Sequence, residues 1–187
     1  RRLLVPLSGR VFCYDRTDGT TKDLGIDGAF DAQLDPPGAR VAFVKDQDLY
    51  VLDLGSGKTT RLTDRGANDA LSYGIAEFVA QEEMNRYHGY WFSADGTRIA
   101  FQRTDETKVE TLYVMDPANP AKAPQPFRYP RAGTTNADVR LGITATGGGD
   151  TTWVQWDRAR YPYLLTVRWS AGAPLTLVAQ DRNQTEV

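Results

Sequence analysis

Glu82 and Glu83 are the side chains in this sequence whose type and spacing best suit chemistry. They close the run from Ser72 to Met84, the only stretch with helical texture, in which Ile75, Phe78 and Val79 keep the i, i+3, i+4 spacing of one buried stripe. Glu82 follows Phe78 by four positions and Glu83 follows Val79 by four, so a helix carries both carboxylates one turn further along that stripe. Adjacent carboxylates beside apolar surface repel unless a cation lies between them. An ammonium, with three donors in a pyramid, can satisfy both. A primary-amine site is therefore one reading. A solvated helix end paired with Arg86 is the other. A metal site is weaker, since no further carboxylate cluster lies within reach in sequence.

The remaining chemistry is sparse. The 187 residues include one cysteine, Cys13, and one histidine, His88, which excludes an intrachain disulfide and a zinc cage. No Gly-x-Ser-x-Gly elbow surrounds Ser8, Ser56, Ser72, Ser93 or Ser170. His88 is expected on the surface or lining a substrate path, so no catalytic residue, metal ligand or cofactor is expected in this chain. Gly147-Gly148-Gly149 reads as a loop, because no Lys-Ser/Thr follows to make a phosphate cradle. Asp46-Gln47-Asp48 reads as a hairpin turn, lacking the glycine and terminal glutamate of a calcium loop. A formal net charge of -2 leaves no basic excess for nucleic acid. No apolar run approaches the roughly 20 residues of a bilayer span.

A copied motif points to what positions these residues. Asp35 to Phe43 reads DPPGARVAF and Ser93 to Phe101 reads SADGTRIAF. Each precedes a second apolar run ending in aspartate, Leu49 to Asp53 and Leu112 to Asp116. Val11 to Asp15 repeats that run upstream, and Val167 to Val178 forms a weaker copy. Short runs rich in Val, Ile, Tyr, Phe and Trp, bounded by Gly, Asp, Asn and Pro, are strand–turn–strand punctuation. The expected fold is all-β, an incomplete β-propeller holding about four blades' worth of antiparallel meanders. The blade units fall near 1–26, 27–66, 88–130 and 150–187, with a short helical insertion near 68–87. A β-sandwich competes but gives no reason for a copied motif. The proline-dense stretch from Pro117 to Pro130 is expected as an extended surface loop. Trp91, Trp153, Trp156 and Trp169 are expected in core packing, as is Cys13, which shares a blade position with Val51 and Val114.

The ordered motifs carry a resemblance. Ala76 to Met84, followed by Gly89-Tyr90-Trp91-Phe92-Ser93-Ala94-Asp95-Gly96, resembles the glutamate-bearing insertion of the dipeptidyl peptidase IV family. Phe127-Arg128-Tyr129-Pro130-Arg131-Ala132-Gly133 with Asn136 is similar to that family's Tyr-Pro-x-Ala-Gly-x-x-Asn strand. Tyr163-Leu164 and Val167-Arg168-Trp169 match a later blade. The similarity runs across nearly the whole chain and is closest to bacterial members of the prolyl oligopeptidase (S9) group.

The resemblance implies an eight-bladed N-terminal propeller and a C-terminal α/β-hydrolase domain, the latter and the remaining blades being absent from this sequence. It implies a serine exopeptidase releasing N-terminal Xaa-Pro or Xaa-Ala dipeptides from peptide substrates with a free N-terminus. Carried over by position, Glu82 and Glu83 would hold the substrate's α-ammonium. The family's carbonyl-contacting arginine lies near Arg1 or Arg2, without a secure match. Export to the periplasm is expected by resemblance alone, and a homodimer is left open. A non-catalytic propeller acting as an interaction scaffold is the alternative, since one fold hosts many functions.

Overall fold

The computed structural model describes residues 1–187, which form sixteen strands and one helix. β1 (Arg2–Leu7), β2 (Arg10–Asp15) and β3 (Thr21–Asp27) make an antiparallel three-stranded sheet. β4 (Phe30–Leu34), β5 (Arg40–Lys45), β6 (Asp48–Asp53) and β7 (Thr59–Arg61) make a complete four-stranded meander. β8 (Leu71–Tyr73), α1 (Phe78–Met84), β9 (Tyr90–Phe92) and β10 (Arg98–Asp105) follow. The chain continues through β11 (Thr111–Val114), β12 (Gln125–Arg128), β13 (Asp138–Ala145) and β14 (Thr152–Trp153). β15 (Tyr163–Arg168) and β16 (Thr176–Gln180) close it as a hairpin.

Strand alternation explains how the sheets stack. In β5, Val41 and Phe43 point toward the first sheet and join Val11, Ile26 and Leu52, whereas Ala42 and Val44 point the other way and join Leu49, Val51, Tyr90, Ile99 and Phe101. In β10, Ala100 turns from Ile99 and Phe101 to meet Val139, Leu141, Leu164 and Val167. Each central sheet is thus apolar on both faces, at roughly 1.5–3 kcal/mol for each large side chain fully buried, and needs a neighbour on each side. This is the all-β, incomplete propeller expected from the repeats. The four tryptophans are half-buried and pack against these cores or their edges, and Cys13 is buried.

The copied motif is a copied turn. Asp35 N–H donates to the Arg40 carbonyl and Gly38 N–H to the Asp35 carbonyl; Ser93 and Gly96 repeat both bonds with Arg98 and Ser93. The Asp35 carboxylate accepts from Ala39 and Arg40 N–H, and Ser93 Oγ accepts from Arg98 N–H. The two turns also dock, because Arg40 Nη1 donates to the Gly96 carbonyl at 3.2 Å. Asp46 and Gln47, at φ 50 and 67, form the tight turn between β5 and β6, the twist-matched type with both central residues left-handed.

Two expectations shift. The unit near 88–130 is not one continuous blade: Leu112 to Val114, the sequence match of Leu49 to Val51, pairs with β12 rather than β10. The partner of β10 along its full length is β13. The repeat is interrupted after β10 by a projecting β11–β12 hairpin, so part of the proline-dense stretch is strand, with Pro126 tolerated because the pair has no third strand needing its missing N–H. The Ser72 to Met84 run is only partly helical. Leu71–Tyr73 pairs with β10, and the helix begins at Phe78.

Candidate functional site

The helix is an excursion from one sheet edge. β9 pairs with Ile99–Phe101 and β8 with Arg103–Asp105, both on β10. Gln102, between these segments, donates its N–H to the Gly89 carbonyl at 2.7 Å and accepts from Gly74 N–H at 2.8 Å. An isolated bridge between Ile75 and His88 closes the base of the loop. The excursion closed by this bridge runs from Ile75 to His88, starting later than the expected 68–87 and ending one residue beyond it. Gly89 is required where the two limbs meet. A Cβ there would lie 2.3 Å from the Gly74 carbonyl carbon and 2.4 Å from the Ile75 nitrogen.

Seven residues make a helix too short to persist alone, and its fixings are tertiary. Val79 and Ala80 are buried, and Phe78 meets Tyr129 edge-on at 4.8 Å between ring centroids. Asn85 takes the left-handed conformation at φ 49, and Arg86 N–H closes the last turn onto the Ala80 carbonyl at 3.0 Å, a terminal geometry common in helices. Tyr129 N–H in turn donates to the Glu110 carbonyl, and Asn136 Nδ2 donates to Tyr163 Oη at 3.0 Å. Tyr129 thus packs against the helix, and Asn136 with Tyr163 borders the small space shared with Phe78 and Val79.

Glu82 and Glu83 sit together on the last turn, both exposed. They do not continue the buried stripe, because the buried helix positions are Val79 and Ala80 and Ile75 lies in the bridge below. No basic residue stands in the last turn. Two carboxylates at a helix C-terminus oppose the partial negative charge there, so the local field favours a cation. Arg86 does not supply it, since its guanidinium turns inward to Glu77. Glu83 Oε2 accepts a hydrogen bond from Gln184 Nε2 in the turn after β16.

Three residues that sequence reasoning did not single out as a group fix this arrangement. Glu77 precedes the helix yet makes no cap bond with its side chain. Its Oε2 instead accepts from Gln102 Nε2 at 2.5 Å and Arg86 Nη2 at 3.4 Å. Arg86 also donates from Nε and Nη2 to the Leu164 carbonyl at 3.2 and 2.7 Å, and from Nη1 to the His88 carbonyl at 2.8 Å. Burial pulls the Arg86 pKa below its usual value while the Glu77 charge opposes that fall. Burial likewise raises Glu106, with Arg128 opposing and Glu77 adding to the rise. The one available sequence signal was Gln102, a polar residue directly after the apolar run Ile99-Ala100-Phe101 of a strand.

The other candidates lie elsewhere. His88 is exposed, its Nδ1 2.9 Å from both Asp31 carboxylate oxygens and 3.0 Å from Gln33 Nε2. Arg2 donates to Asp15 at 3.2 Å and to the Gly38 carbonyl at 2.7 Å, tying the first sheet to the second. A polar cleft of about 970 Å³ opens beside Asp105, Glu110, Asn136, Asp138, Arg140 and Arg182; neither Glu82 nor Glu83 lines it.

Stacked antiparallel meanders with a helix-bearing insertion define a propeller segment of a known type. Residues 3–187 match the family model described as the dipeptidyl peptidase IV (DPP IV) N-terminal region, and the chain belongs to that family. It is 36% identical over 119 residues to human dipeptidyl peptidase 8, covering 56% of this chain and 13% of that protein. It is 32% identical over 167 residues to a probable dipeptidyl peptidase 4 of Aspergillus flavus, covering 83% of this chain and 21% of that protein. The crystal structure of Porphyromonas gingivalis dipeptidyl peptidase 4 superposes with a TM-score of 0.81 at 23% identity, over 97% of this chain and 27% of that one. A putative dipeptidyl aminopeptidase IV from Bacteroides ovatus superposes with a TM-score of 0.76 at 23% identity, over 98% of this chain and 25% of that one. The chain thus spans roughly a quarter or less of each of these relatives.

Proposed function

We propose that this chain is the substrate-recognition portion of the propeller in a serine dipeptidyl peptidase, and that Glu82 and Glu83 bind the α-ammonium of peptide substrates. The observation that carries this reading is the placement of the two carboxylates. They are consecutive exposed residues on the last turn of a clamped helix, with the cation that follows them in sequence, Arg86, drawn away to Glu77. An N-terminal ammonium has three N–H donors and can bridge both. Anchoring that end measures a fixed length of substrate to the scissile bond, the register from which dipeptide release follows. The nucleophile and its base would come from a hydrolase domain elsewhere in the parent polypeptide, so this segment alone would be inactive.

The test uses the full-length gene product, wild type beside Glu82→Gln/Glu83→Gln. Chromogenic Xaa-Pro amides with free and with acetylated amines are compared. Cleavage of the free amine only, with kcat/KM falling about a hundredfold or more in the double variant, is expected for loss of the charge pairing that anchors the substrate. Equal turnover of the acetylated substrate would overturn the anchor. Inactivity on both would favour a scaffold, a reading supported by the exposed Tyr113, Val114, Met115 and Phe127 of the projecting hairpin.

A further inference from the structure

We infer that Glu77 and Arg86 are positioning residues for substrate recognition, a buried strut that fixes where Glu82 and Glu83 stand. The inference rests on the amine-anchor reading above and adds to it the residues through which that anchor is held.

The strut joins the two ends of the excursion. Glu77 immediately precedes α1 and Arg86 follows it by two positions, so the helix and both glutamates lie between the two ends of one ion pair. Both partners are buried, with side chains 5% and 8% exposed. The pair reaches two sheets: Gln102 of β10 through Glu77, and the Leu164 carbonyl of β15 through Arg86. The planar guanidinium bonds Glu77, Leu164 and His88 at once, a fork that a lysine cannot reproduce.

A buried pair is poorly explained as a device for stability alone. Desolvation offsets much of the attraction, and well-packed apolar residues often serve the fold as well or better. Here the Glu77 Oε1 and Gln102 Oε1 atoms are also buried without a protein partner, a further penalty. The arrangement does turn Arg86, the nearest cation in sequence, away from Glu82 and Glu83 while fixing the helix that bears them. Misplacement of a binding group by about 1 Å can cost on the order of a hundredfold in rate, so rigid support has a direct consequence for recognition.

The experiment introduces Glu77→Gln and Arg86→Lys separately into the full-length protein, each in the wild-type and the Glu82→Gln/Glu83→Gln background. Melting temperature and steady-state kinetics on a free-amine Xaa-Pro amide are measured. In the wild-type background each variant should raise KM about tenfold with a smaller change in kcat, as expected when ground-state anchoring is loosened. In the double-glutamine background neither should have a further effect, because nothing remains to position. Equal losses in both backgrounds would assign the pair to general structure and overturn the inference, as would unchanged KM in folded single variants. If Glu77→Gln does not accumulate as folded protein, Arg86→Lys, which keeps the charge, carries the test. Failure of the anchor itself is separately visible: the double-glutamine protein would keep wild-type kinetics before either strut residue is altered.

Discussion

The two ends of α1 carry carboxylates in opposite circumstances. Glu77, at the start, is buried against Arg86 and Gln102, whereas Glu82 and Glu83, at the finish, are exposed with no cation in their turn. Both arrangements depart from what a free-standing helix prefers. A carboxylate before the first turn would ordinarily cap exposed N–H groups, and one in the last turn opposes the helix dipole. The difference teaches where to look for function. The buried charge already has its cation, Arg86, while the exposed pair, with only Gln184 bonded to Glu83, is held in an unfavourable field without one in its turn.

The largest expected effect tests the buried half of this contrast. Arg86→Met should destabilise the parent protein by about 3–5 kcal/mol, because it strands the Glu77 charge in the interior. The Leu164 and His88 carbonyls lose their donor in the same substitution. Glu82→Gln/Glu83→Gln should change stability by no more than about 0.5 kcal/mol. Chemical denaturation of the two variants beside wild type reads both effects. Comparable losses in the two would erase the distinction between structural and available carboxylates.

A smaller effect is expected where the excursion leaves its sheet. Gly89→Ala places a methyl group against the Gly74–Ile75 peptide, so backbone must move, and overpacking of this kind costs roughly 1–3 kcal/mol. The shift falls on the limbs that carry the helix. The variant should therefore lose affinity for free-amine substrate along with stability, measured as KM beside the denaturation midpoint. Gly19→Ala serves as the control. It sits at a left-handed position with open space around it, far in sequence from the excursion, and should alter stability without altering KM.

What the sequence made readable follows from the range of the forces involved. The DPPGAR and SADGTR turns could be aligned by eye because their hydrogen bonds are local, between residues a few positions apart. The unbroken apolar run from Val41 to Val44 fits a strand whose two faces are both buried. Leu112 to Asp116 misled because an apolar run ending in aspartate encodes a strand but not its neighbour. Its pairing with β12 depends on chain that returns after a proline-dense stretch. The site divides the same way. Glu82 and Glu83 stood out as adjacent like charges, yet their exposure did not follow from spacing, since the helix begins only at Phe78 and Ile75 is held in a bridge. The Glu77–Arg86–Gln102 cluster was opaque, because it joins residues brought together by the return of β10 and β15.

Exposure alone does not mark a carboxylate as available, and the smallest predicted effect sharpens that point. Asp95 is exposed like Glu82, but its Oδ1 accepts from Ser93 Oγ, Thr97 N–H and Thr97 Oγ1 within its own turn. Those bonds, the Ser93 hydroxyl foremost, hold its pKa down to about 2. Asp15 is also lowered to about 2, chiefly by the Thr17 N–H. An unfolded aspartate titrates near 3.9, so the folded state binds these protons less readily than the unfolded chain. The stabilisation is therefore present above about pH 4 and lost as pH falls toward 2. Asp95→Asn should flatten part of that acid slope in denaturation midpoints taken between these limits. An unchanged slope would mean that the turn draws nothing from its carboxylate charge, and hydrogen bonding within the turn would no longer separate Asp95 from the exposed pair on α1.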